Sequence, residues 1–209
     1  MDKKTYNKIS EARLSMNSLV MKECLIDSGY TKAARALDIF KKGTTVYADE
    51  DEMSSHIDLG IREIKTGGKT PVEQAFEEKL YTNKYEYEYL KGMCSSHVSL
   101  FEVVEKNEGE GNIVLKDILF PDQGDKTLYD IGFSMTATPG KLLFTVLVPV
   151  YDAYISSGIS FVFHERQIDI ITRECFMRSK NKEIFKDSIQ RFKMFFHLNR
   201  KFGNMVLYR

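Results

Sequence analysis

Asp117 is a carboxylate set inside an apolar run, IVLKDILF, residues 113–120. It can work with nearby carboxylates, among them Glu102, Glu105, Asp122, Asp125 and Asp130, as the acid pair of a glycosidase or the ligand set of a metal-dependent hydrolase. It can also anchor a bulge or turn. Asp122 and Asp125 lie in the turn cluster PDQGD, where aspartate is expected for its own local hydrogen bonds. His164 and Glu165 form a second acid–base candidate at the end of an apolar run. No nucleophile elbow, metalloprotease helix or adjacent nucleophile accompanies them, and a polar strand end accounts for both. The catalytic candidates are therefore Asp117, His164 and Glu165.

Cys94 and His97 have the spacing of half a zinc site, but a structural site needs two such pairs. The remaining thiols and imidazoles, Cys24, Cys175, His56, His164 and His197, are scattered singly. Neither metal nor cofactor is expected. Gly109-x-Gly111 lacks a third glycine, carries Glu108 and Glu110, and precedes a strand pattern rather than a helix start. It reads as a hairpin turn, not a phosphate loop.

A charge bias supplies the remaining candidate. The chain has 30 basic and 30 acidic residues. Residues 178–209, however, hold nine basic and two acidic residues, and residues 48–130 hold nine basic and 19 acidic. Lys182, Lys186, Arg191, Lys193, Arg200 and Lys201 surround an apolar stripe of Ile184, Phe185, Ile189, Phe192 and Phe196. Such a face can bind phosphate backbones without reading sequence, or serve as a solvated face complementing the acidic middle. The segment AARALDI resembles the first helix of a helix-turn-helix, but the acidic ADEDE that follows would be repelled by DNA.

The elements that must position these residues are read from periodicity. Helices are predicted over residues 5–28, with Gly29 as the stop, and 32–42, with Thr31 as the cap. A short helix starts at Ser54 or Ser55, and a longer one runs over 71–91. Thr70-Pro71-Val72-Glu73 is a capping box with proline at the first helical position. Val72, Phe76, Leu80, Asn83, Tyr87 and Leu90 line one side of that helix. Residues 98–105 and 113–120, joined through Gly109 and Gly111, predict a hairpin. Residues 128–133, 142–150, 153–155 and 159–163 are further strands, 142–150 apolar enough to be buried on both faces. Residues 167–178 form a helix or strand, residues 181–201 an amphipathic helix, and residues 205–208 an edge strand. The prediction is α+β: a helical region over 1–95, then a β module over 96–209. That module is a small curved antiparallel sheet or half-open barrel, closed by the C-terminal amphipathic helix.

Composition is that of an ordinary globular chain, 43% hydrophobic and 29% charged. No run reaches the roughly 20 apolar residues that span a bilayer. Three scattered cysteines and no apolar leader point to the cytoplasm.

The strings VSLFEVVEKNEGEGNIVLKDIL, TPGKLLFTVLVPV and SSGISFVF, with AARALDIFKKGTTVYADEDEMSSHIDLGI before them, resemble a module of uncharacterised bacterial proteins. Some of these also carry a C-terminal, cysteine-rich SEC-C zinc motif. The resemblance covers residues 33–163 and implies shared architecture. This chain ends in NRKFGNMVLYR, so no metal role follows from it. The residues favour a non-enzymatic binding or interaction protein with a protein partner and possible self-association. A nucleic-acid binder using the basic C-terminal helix and a hydrolase using Asp117 are the alternatives.

Overall fold

The computed structural model describes residues 1–178 and 186–203, with the backbone alone for 175–178. The chain forms two compact units. One comprises Lys4–Ser96 with Val148–Val150, the other Met1–Lys3, His97–Leu147 and the chain from Tyr151 onward.

The helical unit opens with α1 (Lys3–Glu23), which buries Ile9, Ala12, Met16 and Val20 at helical spacing. It ends five residues before residue 28, the predicted end. α2 (Asp27–Ala36) starts with an acidic first turn and runs through Gly29 and Thr31. Gly29 is a packing position instead of a cap: a Cβ there would lie 3.1 Å from Leu25 Cδ1, and one on Gly60 would lie 3.2 Å from Leu25 Cδ2. Residues 37–42 are not helical. Asp38 turns left-handed, and β1 (Phe40–Lys41) pairs with β2 (Thr44–Thr45). Lys42 and Gly43 both have positive φ, as a two-residue hairpin turn requires.

α3 (Glu50–Arg62) starts earlier than predicted because Asp49 caps it, accepting from Glu52 N at 2.9 Å. The acidic segment is thus the first turn of a helix, where negative charge offsets the exposed N–H groups. The capping box at Thr70 forms as predicted, with Glu73 N donating to Thr70 Oγ1 and Thr70 N to Glu73 Oε2. The helix it starts is short, however. α4 (Pro71–Glu77) stops where Lys79 turns left-handed, and α5 (Lys84–Cys94) begins anew. Asn83, read as a stripe residue, is the cap of α5 through its Oδ1.

The β unit is a closed barrel. β3 (His97–Asn107) pairs with β4 (Asn112–Asp117) through a short turn ending at Gly111, φ +70°. β5 (Lys126–Tyr129) extends the sheet. The predicted strand over 128–133 stops at Asp130, whose Oδ1 accepts from Phe133 N and caps α6 (Ile131–Thr136). β6 (Leu142–Val150) and β7 (Ala153–Phe163) complete the set. The order round the barrel is β3-β4-β5-β7-β6, closing on β3. β5 and β7 run parallel, with Leu128 opposite Tyr154. A register shift between Val103 and Glu105 bends β3, so that its first half pairs with β6 and its second with β4. Five strands in this order, with β5 and β7 parallel and a helix between the third and fourth, are comparable to the five-stranded OB-type barrel.

Phe101, Val103, Ile113, Leu115, Leu128, Leu143, Leu147 and Val162 share one buried core, against which Phe133 and Tyr154 pack. β6 is buried on both faces along most of its length, as its apolar run predicts. α7 (Ile168–Arg178) settles the helix-or-strand choice for residues 167–178. α8 (Ser188–Phe202), capped by Asp187, packs on β3 and β7. Its Phe195 stacks on Phe144 of β6 at 4.2 Å between centroids, and Phe192 and Phe196 meet Phe161 edge-on. The predicted covering helix is therefore present from Ser188. Residues Ile184 and Phe185 of its predicted stripe, and the predicted edge strand over 205–208, lie outside the described residues.

Candidate functional site

Asp117 is the centre of a polar constellation in the barrel wall. It ends β4, opposite Phe101 of β3. Its side chain is fully buried. Oδ1 accepts from Ser99 Oγ at 2.6 Å, from Leu119 N at 3.0 Å and from Phe120 N at 2.9 Å. Oδ2 faces His97 Nε2 at 2.9 Å. A carboxylate only accepts, so Nε2 carries the proton. Burial alone would raise the Asp117 carboxyl. The bonds from His97, Ser99 and Phe120 N–H outweigh it and hold the group below the usual carboxylate value.

This arrangement fastens the barrel. One carboxylate ties β3 to β4 through two side chains and fixes the first turn after β4 through two backbone N–H groups. In a hydrolytic triad the imidazole lies between hydroxyl and carboxylate. Here the carboxylate separates them, and Ser99 is wholly buried. Of the other acidic candidates, Asp130 caps α6, Glu102 is half-buried, and Glu105, Asp122 and Asp125 are exposed. No group of three or more His, Cys, Asp or Glu that could hold a metal ion occurs among the described residues.

A family model for a family of unknown function, DUF7986, matches residues 1–209. The chain belongs to that family. No curated protein and no solved structure matches it.

In this member of the family, the second acid–base candidate is a cap. His164 Nδ1 accepts from Arg166 N at 3.2 Å, and its backbone N donates to Gln167 Oε1 at 2.7 Å. Gln167 Nε2 reaches Phe202 O at 2.9 Å, so this turn also holds the end of α8. Glu165 is exposed. The basic residues of α8 are not equivalent. Arg191 is buried, donates from Nε to Val98 O at 2.8 Å and lies 5.0 Å over the Phe120 ring. Lys186, Arg200 and Lys201 are exposed and Lys193 is half-buried. The guanidinium of Arg200 lies 4.9 Å over Phe196. Lys182 lies outside the described residues.

Sequence reasoning missed two partners of Asp117. By sequence spacing His97 goes only with Cys94, and nothing local singles out Ser99. Their signal was the alternation His97, Ser99, Phe101 on the strand that pairs with β4, legible only with the register known.

It also missed a second polar chain, within the helical unit. Tyr30 Oη and Tyr47 Oη lie 2.6 Å apart, and Tyr47 Oη lies 2.7 Å from His56 Nδ1. His56 Nε2 lies 2.8 Å from the Tyr30 carbonyl, which can only accept. The neutral ring therefore carries its proton on Nε2. Tyr47 donates to Nδ1, and Tyr30 donates to Tyr47. His56 is completely buried, and that burial lowers its affinity for a proton, partly offset by the Tyr30 carbonyl. Burial pushes the Tyr47 phenol up. Further along α3, Asp58 and Arg62 pair at 3.3 Å, both buried.

Proposed function

We propose that this chain is a non-enzymatic binding protein, whose barrel carries the binding surface. The observation behind this reading is the state of Asp117, the strongest catalytic candidate. Both of its oxygens are engaged within the barrel wall. A hydrolase would need one of them open to a metal or water. The OB-type strand order supports binding by analogy with other barrels of that order. Exposed apolar side chains support a protein partner or a second copy: Leu14 and Met21 seven residues apart on α1, and Val104 and Met135 in the β unit. No helix among the described residues is long and apolar enough to cross a membrane, and the scattered cysteines favour a cytoplasmic setting.

The test is an Asp117→Asn variant, followed by urea unfolding and metal analysis. Asparagine turns an N–H₂ group toward donors that need an acceptor. The expected loss is about 1–3 kcal/mol of stability, with metal content unchanged. A variant as stable as the parent that has lost a bound metal would favour the hydrolase.

A second reading is nucleic-acid binding. It is favoured by the exposed Lys186, Arg200 and Lys201 beside a barrel type that often holds single strands. The β3–β4 and β6–β7 loops carry Glu108, Glu110 and Asp152, which favours α8 over that face for a polyanion. A mobility shift with mixed single-stranded DNA and RNA across a salt series checks it. Binding that weakens steeply with salt, and weakens further in a Lys186, Arg200 and Lys201 triple alanine variant, supports this reading. No shift at low salt eliminates it.

A further inference from the structure

We propose that the Tyr30–Tyr47–His56 chain is an acid-sensitive latch holding the arm between β2 and α3 against α2. The arm, residues 46–49, connects the hairpin to the cap of α3. It is held at three points. Val46 N donates to Ile39 O at 2.9 Å, Ala48 N donates to Glu52 Oε2 at 2.8 Å, and Tyr47 Oη meets both Tyr30 and His56. Tyr47 is the arm side chain that bonds His56.

The direction of this chain depends on the charge of one ring. With His56 neutral, protons run Tyr30 to Tyr47 to Nδ1, and each oxygen or nitrogen has one role. When His56 takes up a proton, Nδ1 becomes a donor. Tyr47 must then turn its proton toward Tyr30, and Tyr30 must turn its own away. The imidazolium also sits in a fully buried position. The groups at it are the carbonyl and ring of Tyr30 from α2 and the phenol of Tyr47 from the arm, while Glu52 stands one turn earlier on its own helix. The Glu52 carboxylate is already engaged by Ala48 N. A buried cation facing a phenol, a ring and a carbonyl is better solvated with the arm lifted, so proton uptake and arm opening are coupled. Opening bares the His56 ring, the Tyr47 phenol and the capped start of α3.

The test follows His56 ring signals and the amide protection of Val46 and Ala48 in the full chain by NMR, from pH 7.5 to 5. Protection, corrected for intrinsic exchange, is expected to fall by up to about tenfold per pH unit in step with the His56 transition. His56→Gln, which presents one donor and one acceptor at every pH, is expected to stay closed with flat protection. Tyr47→Phe removes the arm's link and is expected to leave both amides weakly protected throughout. Constant protection across the His56 transition, absence of that transition in this range, or an equal fall in both variants would overturn the latch.

Discussion

Asp117 accepts from Ser99 Oγ and two backbone N–H groups through Oδ1 and from His97 through Oδ2. Its oddity, a carboxylate among Leu and Ile, is plain in the sequence. Its meaning depends on His97 and Ser99, which lie 20 and 18 residues away and reach it only through the β3–β4 register. Its protonation gives a prediction. The folded state holds the carboxyl below its unfolded value. The corresponding stability is present above the unfolded carboxyl range and is lost as pH falls through the folded value. The urea midpoint of the parent should therefore exceed that of Asp117→Asn at pH 6 and converge toward it below about pH 4. A gap that stays constant into acid would show that the charge is not what Asp117 contributes. His56 acts in the same direction at higher pH. Its folded-state proton affinity is lowered, so stability declines as pH drops from its ordinary value of 6.5 through the folded one. His164 and Glu165 were visible as polar residues ending a strand, and their place is a helix-capping turn.

At the level of elements, isolated local signals were easier to read than bounds. The Thr70 capping box and the apolar run of β6 are local signals, and both hold. The breaks that were missed have causes outside periodicity. The helix predicted over 71–91 divides because Asn83 offers a better start than continuation, with Lys79 accepting a left-handed backbone to end α4. The helix predicted over 32–42 yields to a hairpin, since Lys42-Gly43 suits its turn. The helix predicted to end at residue 91 continues through Gly92, inside α5. A Cβ there would sit 2.2 Å from the carbonyl oxygen of Pro149, in the Val148–Val150 stretch that packs with the helical unit. Backbone cannot give way as a flexible side chain can. Gly92→Ala should cost about 1–3 kcal/mol in thermal or urea unfolding, although alanine is the better helix former. A stabilised variant would mean that this close approach does not exist in solution.

For the whole molecule, α+β class, a curved small sheet and a phenylalanine-bearing covering helix follow from pattern alone. Closure does not. An edge can be left open or paired, and only the long bent β3 and the pairing of β5 with β7 decide between them. That pairing joins Leu128 to Tyr154 in parallel across an intervening helix and strand, and no local residue preference announces it. The family assignment covers residues 1–209 and leaves function to the geometry. The reading as a binding protein rests on the barrel being closed, with Asp117 sealed in its wall. Inter-strand NMR contacts between Leu128 and Tyr154 test that closure most directly. The account predicts close backbone contacts between these two residues in parallel register, with slowly exchanging amides along β5. An open edge, with fast exchange along β5 and no contact to β7, would contradict it.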